Sequence, residues 1–270
     1  DSDTITALED GAFSPDGTRA VLIVRNGTAT PSIEAQFWDL SSGTKIRSLA
    51  LESGEGHFTV HAVSPDNARV YLVATKDTTT KGGTTVATAT TREYLWDTTT
   101  DSTPTAFREQ RGESTEIGSA TFSPDGSLLA RAGGGVENAV ALLNGENGSP
   151  LNRLEAVPGS ALSLAFSHDG TRLAVADGAG RARVWDTVTG AFLFKLLNGA
   201  TQSNTDALLS ANGNEVLVTG HGGVSSFPGG PSICIGRRDL RYPIAGRHST
   251  GVEHRRIRQD LGFGDGRDIR

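Results

Sequence analysis

ALSLAFSHDGTRLAVADGAGRARVWDTVTG, residues 161–190, is the stretch whose reading decides the fold. Ala161 to Phe166 has strand character. His168-Asp169-Gly170 is a turn, because Asp bonds nearby backbone and Gly accepts a positive φ. Leu173 to Ala176 is short and all apolar, as a strand covered on both faces is. Asp177-Gly178-Ala179-Gly180 turns the chain again. Ala182 to Trp185 alternates small or apolar with polar residues, a third strand. Thr187-Val188-Thr189-Gly190 is the next turn, and Ala191 to Leu197 predicts a fourth strand. Four antiparallel strands make one small sheet. It cannot bury both faces alone, so it must stack on neighbours.

The neighbours are visible in the text. Phe166-Ser167-His168-Asp169-Gly170 is preceded by Phe13-Ser14-Pro15-Asp16-Gly17, Val63-Ser64-Pro65-Asp66-Asn67 and Phe122-Ser123-Pro124-Asp125-Gly126. A weak copy, Leu209-Ser210-Ala211-Asn212-Gly213, follows. The spacings are 50, 59, 44 and 43 residues. The last two fall in the range of four-stranded propeller blades, and the first two carry insertions. A second marker ends a later strand of each unit: Trp38-Asp39, Trp96-Asp97 and Trp185-Asp186, with Leu143-Asn144 in the third unit. In the fifth unit the slot falls near Phe227-Pro228, where the pattern stops.

The pairing of F-S-P-D-G with a later W-D resembles the WD-repeat β-propeller family, over residues 1–227. The resemblance implies an all-β fold, a β-propeller of four-stranded antiparallel blades, with about five blades. Family propellers commonly close with seven, so either five blades close alone or the chain is a piece of a longer one with an incomplete ring, the reading favoured here. The chain has no methionine, and its last unit breaks off, which favours the same reading. The implied role is a non-catalytic scaffold for protein–protein interaction. The alternative is a gating or accessory propeller of a larger enzyme, such as a serine peptidase or kinase whose catalytic domain lies elsewhere. A third reading is an extracytoplasmic propeller of a sensor or envelope complex.

The chain departs from the family in one respect. The Gly-His pair that often precedes the F-S-P-D-G segment is replaced by Gly112-Glu113, Ala156-Val157 and Gly199-Ala200, and Gly56-His57 lies too close to Val63. The expected turn Asp before Trp185 is Ala179. Blades are therefore expected to rely more on apolar packing than on a fixed polar network.

Thr75 to Thr91 holds nine threonines in seventeen residues around Gly82-Gly83. Two β-propensive arms around Gly-Gly predict a hairpin inserted between the second and third strands of unit two. It reads either as a tolerated loop or as a partner-contacting arm. Residues 228–270 form a second, Arg-rich segment, an irregular extension or a degenerate blade. They hold nine arginines, no lysine and five acids. Three readings stay open there: a loosely packed extension, a blade replaced by out-of-frame translation, and a functional basic tail.

Composition excludes several classes. Glycine supplies 34 of 270 residues, about twice the usual roughly 7%, without the every-third period of collagen. The formal net charge of −6 gives no support for nucleic-acid binding. No apolar run approaches the roughly 18 residues of a membrane helix. One cysteine, Cys234, rules out an intrachain disulfide framework and, with no targeting segment, favours the cytoplasm. No G-x-S-x-G nucleophile elbow exists, and Gly246 to Gly251 has one residue too many before Ser249. Gly133-Gly134-Gly135 lacks the Lys and helix of a phosphate loop. His57 and His61 fall on one strand face by parity but lack a third ligand, so no metal site and no cofactor are expected.

Asp16, Asp66, Asp125 and Asp169 recur with the repeat and read as turn residues, not as an acid–base pair. Trp38, Trp96 and Trp185, each followed by its aspartate (Asp39, Asp97, Asp186), read as packing residues. Glu137, Asp177 and Arg181 are expected in exposed turns between second and third strands, as candidate contacts for a protein partner.

Overall fold

The computed structural model describes residues 5–27, 32–51, 56–79, 87–100, 104, 106–112, 117–133, 140–154, 161–177, 181–197, 204–210, 215–220, 223–228 and 233–235. Every element among them is a β-strand, and the strands gather in chain order into five four-stranded antiparallel sheets. Blade 1 is β1 (Ile5–Phe13), β2 (Arg19–Asn26), β3 (Ser32–Asp39) and β4 (Thr44–Leu51). Blade 2 is β5 (His57–Val63), β6 (Arg69–Thr79), β7 (Ala87–Asp97) and β8 (Ala106–Gly112). Blade 3 is β9 (Ile117–Phe122), β10 (Leu128–Gly133), β11 (Val140–Asn144) and β12 (Pro150–Arg153). Blade 4 is β13 (Ala161–Phe166), β14 (Arg172–Asp177), β15 (Arg181–Asp186) and β16 (Phe192–Leu197). Blade 5 is β17 (Asn204–Leu209), β18 (Glu215–Gly220), β19 (Gly223–Pro228) and β20 (Ile233–Ile235).

The first strands of the blades contact one another in chain order: β1 with β5, β5 with β9, β9 with β13, β13 with β17. Four apolar clusters fill the junctions. Val21, Ile23, Ile33 and Ala35 of blade 1 meet Phe58, Val63, Leu72 and Trp96 of blade 2. Tyr71 and Val73 of blade 2 meet Ile117, Phe122 and Leu129 of blade 3. Ala130, Val140 and Leu142 of blade 3 meet Leu164, Leu173, Val175 and Trp185 of blade 4. Ala174, Ala176 and Val184 of blade 4 meet Ala207 and Val216 of blade 5. The second strand of a blade is covered from both sides, which is why Leu173 to Ala176 is apolar without alternation and fully buried.

The turn chemistry follows the repeat. Gly17, Gly126 and Gly170 have φ near +70°, a conformation that costs glycine nothing. Blade 2 has Asn67 there, at φ 62°, and Asn is the side chain best tolerated in that region. Its amide also donates to Asp16 of blade 1 at 2.9 Å.

The inserted hairpin is present. β6 and β7 pair from Arg69↔Asp97 to Thr79↔Ala87; Gly82-Gly83 lies outside the described residues. The fifth sheet continues past residue 227. Glu215 pairs with Pro228, Val216 with Phe227, and Val224 to Ser226 with β20. Phe227 thus occupies the register slot that Trp185 holds against Leu173.

Candidate functional site

The recurring polar residues of the F-S-P-D-G segment are joined in one repeated arrangement. The Ser14, Ser64, Ser123 and Ser167 hydroxyls donate to Asp16, Asp66, Asp125 and Asp169 at 2.6, 2.5, 2.6 and 2.6 Å. Each serine oxygen accepts the backbone N–H five residues on, at 2.9, 2.8, 2.9 and 3.0 Å. Each aspartate also accepts the N–H two residues on. The serines are buried and the turn closes over them. A fixed polar network therefore exists in this chain, repeated in the turns, with a second one at Trp38, whose Nε1 donates to Gln36. This corrects the expectation drawn from the missing Gly-His pairs.

The aspartates of the second marker cap the following turn. Asp39 accepts from Ser41 and Ser42, Asp97 from Thr99, and Asp186 from Val188 and Thr189. Asn144 does the same for Glu146 and Asn147. Sequence reasoning missed the partners across the strand. Arg19 pairs with Asp39, and Arg69 with Asp97 at 3.1 Å. Register places Leu128 opposite Asn144, so blade 3 lacks the cation and the anion together. These pairs are partly exposed, so water screens them and they add little to stability.

All seven marker carboxylates sit below their usual pKa. The Ser167 hydroxyl, then the Thr171 donors, bring Asp169 to about 2. Ser14 does most to hold Asp16 well below the ordinary range, and Ser64 and Ser123 likewise lower Asp66 and Asp125. The Ser41 hydroxyl and the Thr189 N–H lead for Asp39 and Asp186. For Asp97 burial pushes up, and the Thr99 donors outweigh it. A carboxylate lowered in the folded state adds stability above its unfolded pKa of about 3.9, and loses it as pH falls through the folded value. Urea unfolding at successive pH values should therefore show stability dropping from about pH 4 towards pH 2. Asp169→Asn should flatten part of that slope; an unchanged slope would sink the assignment.

Asp177 and Arg181 come together, but not as an exposed pair. Asp177 is fully buried at the end of β14. It accepts the Arg181 backbone N–H at 2.9 Å and its guanidinium at 3.0 Å. The expectation of an exposed Asp177 is corrected: the acid closes the β14–β15 turn from inside, with Arg181 over it. Glu137 lies outside the described residues. A register shift lies between Val60 and Ala62, yet His61 Nε2 stays 3.1 Å from Thr59 Oγ1, on the strand side that Thr59 shares with His57. His61 also lies against Tyr71, ring centroids 5.9 Å apart, and burial lowers its pKa.

A charged cluster lies inside the junction of blades 2 and 3. Glu93, fully buried, accepts the Tyr71 hydroxyl at 2.7 Å. Arg131, 3% exposed, brings its Nε to 3.2 Å of the same carboxylate, as an ion pair rather than an aligned hydrogen bond. Arg108 approaches the other oxygen at 3.5 Å from the half-exposed side. Burial, with Glu93 beside it, raises the Tyr71 pKa well above the usual value, so the phenol stays a donor. Register shows what is unusual here. Glu93 stands opposite Val73 where Ala35 stands opposite Ile23, and Val140 opposite Ala132.

Residues 148–186 match the family described as WD domain, G-beta repeat. The match begins just before β12 of blade 3 and ends with β15 of blade 4, so one sequence repeat straddles two sheets. A search of curated proteins found no match. Domains of the matched family generally mediate protein–protein interactions and are generally non-catalytic. The matched repeat and the five four-stranded antiparallel sheets support the WD-repeat β-propeller family for this chain.

Proposed function

We propose that the chain is a non-catalytic scaffold that binds a protein partner, and that the arm formed by β6, β7 and β8 makes the contact. The observation that carries this is the reach of the arm. The first strand of blade 2 ends its pairing at His57↔Thr75. β6 and β7 run on together from Lys76↔Thr90 to Thr79↔Ala87. β8 supports them through Ala89↔Gly112. Pairing backbone beyond the reach of β5 costs ordering entropy. An ordered arm on a rigid stack is the kind of element that carries recognition. Among the described residues no strand pairs with β6 beyond Thr75 on its β5 side, an edge that suits an extended partner segment.

The test replaces Lys76–Thr90 by Asn-Gly, which joins Thr75 to Thr91 through a two-residue turn. Circular dichroism should show the fold retained. Quantitative affinity capture should show a partner set bound by the intact chain and weakened tenfold or more by the shortened one. An identical partner set for both proteins removes the arm from the function.

A further inference from the structure

The outermost strands of blades 1 to 4 are bulged. Their register slips between Phe37 and Trp38, Glu93 and Tyr94, Leu142 and Leu143, and Val184 and Trp185. The extra residue on the outer strand is Ile46, Phe107, Leu151 and Leu193 in turn. It is large and apolar each time, although a bulge asks for no particular side chain there. A bulge also interrupts the regular edge on which another strand could add. These edges therefore offer side chains more than backbone. Their charge is one-sided too. β4, β8, β12 and β16 hold Lys45, Arg47, Arg108, Arg111, Arg153 and Lys195 against one acid, Glu109, in a chain of net charge −6.

Each blade turns a backward face to the blade before it and a forward face to the blade after it. The turn after the third strand of the later blade reaches the outer strand of the earlier one at the rim between them. Gly148 of blade 3 lies against the Phe107 ring of blade 2, which is half-buried. Between blades 3 and 4 the contact differs. Gly190 lies against the Asn152 side chain, and Leu151 beside it stays 50% exposed. Val188 of the same turn is 78% exposed, and Phe192 and Leu193 are 43 and 41% exposed. Phe192 is held in place, its ring edge-on to Trp185 at 5.8 Å. Arg153 and Lys195 are exposed on the same two outer strands. Asp186, the acid of that turn, accepts the Val188 and Thr189 N–H groups. Blades 3 and 4 each have a neighbour on both sides, so this rim lies within the series and not at its ends.

We propose that the outer rim of blades 3 and 4 is a second protein-binding surface, and that its partner is an acidic segment carrying apolar side chains. This rests on the scaffold reading above but not on the arm. Leu151, Val188, Phe192 and Leu193 take the apolar side chains. A cluster of exposed apolar groups rimmed by charge is the mark of an interaction surface. Such anchors supply most of the energy of a contact. Arg153 and Lys195 set the sign of the partner, since like charge against them is penalised and opposite charge is steered in. The bulges at Leu151 and Leu193 keep the two edges from simply pairing with any extended strand.

Fluorescence anisotropy of a fluorescein-labelled peptide, leucines set among glutamates and serines, tests this with the full chain. The acidic probe should bind, and its counterpart with lysine for each glutamate should bind about tenfold more weakly. Leu151→Ser/Leu193→Ser should weaken the acidic probe by about tenfold or more. Lys195→Glu should weaken it severalfold, by a factor that shrinks as salt is added. Lys195→Glu decides alone if the double variant is misfolded by circular dichroism. The chain with the shortened arm should bind the probe like wild type, which separates this surface from the arm. An acidic probe that does not bind overturns the proposal, and so do two probes that bind equally. Rim variants that bind like wild type, with the shortened arm losing the probe, would place it on the arm and also overturn it. Phosphatidylserine vesicles that bind the wild type but not the double variant would make the rim a lipid surface, against the proposal.

Discussion

Glu93→Ala is expected to destabilise the protein by about 3–5 kcal/mol, measured by urea unfolding of wild type and variant side by side. Arg131 is the reason. Its guanidinium is almost fully buried at the junction of blades 2 and 3. Glu93 is the carboxylate within reach of it, at 3.2 Å. Removing the acid leaves a buried cation and a Tyr71 hydroxyl without its acceptor. A domain is held together by only about 5–15 kcal/mol in all, so this loss is large. The triple variant Tyr71→Phe/Glu93→Val/Arg131→Leu separates the pair's value from the damage of breaking it. It gives the junction the apolar chemistry of its neighbours, where Leu72 and Val175 sit. Its stability should return to within about 1 kcal/mol of wild type or exceed it. A single variant that unfolds like wild type would show that Arg131 finds water, and would remove the argument.

Trp185→Ala is expected to cost about 3–5 kcal/mol by the same measurement, and Trp38→Ala about 1–2 kcal/mol. The two tryptophans hold the same repeat position. Trp185 is fully buried against blade 3 and meets Phe192 edge-on at 5.8 Å. Trp38 is half-buried and joins no core cluster among the described residues. Trp185→Phe should lose little. Among the described residues the buried Trp185 Nε1 has no acceptor, whereas Trp38 Nε1 has Gln36. In blade 4 the residue at the Gln36 position is Arg183, and a guanidinium cannot accept. Equal costs at Trp185 and Trp38 would contradict the difference in cover between the two faces.

The repeat made the blades legible before any coordinates. Strand β13, its turn and the buried second strand fall where residues 161–176 predict them, and the inserted hairpin pairs as its arms suggest. What local text could not show is what each blade meets. Phe13 and Phe122 begin the same five-residue pattern, yet one is 72% and the other 7% exposed. Exposure is set by the neighbouring sheet, not by the strand. Asp177 was misjudged for a related reason. A polar residue between two strands reads as a surface turn, but the Arg181 donors let it be buried. Glu93 and Arg131 carry no local signal, since neither charge explains itself without the other blade. The fifth blade shows a different limit. Phe227 keeps its register without the Trp-Asp text, because backbone pairing needs no particular side chain there.

The Glu93 cluster has a consequence for how the chain sorts itself out. Blades cut to one pattern are near-duplicates, and in a half-assembled chain a forward face could settle on the backward face of a blade further along. Docking blade 1 directly onto blade 3 would press Ala35 and Ile33 against Arg131, where Ala35 holds the register place of Glu93. Seating blade 2 against blade 4 would leave Glu93 facing Val175. One junction in the series thus carries an address, written in opposite charges, and skipping a blade means delivering to the wrong one.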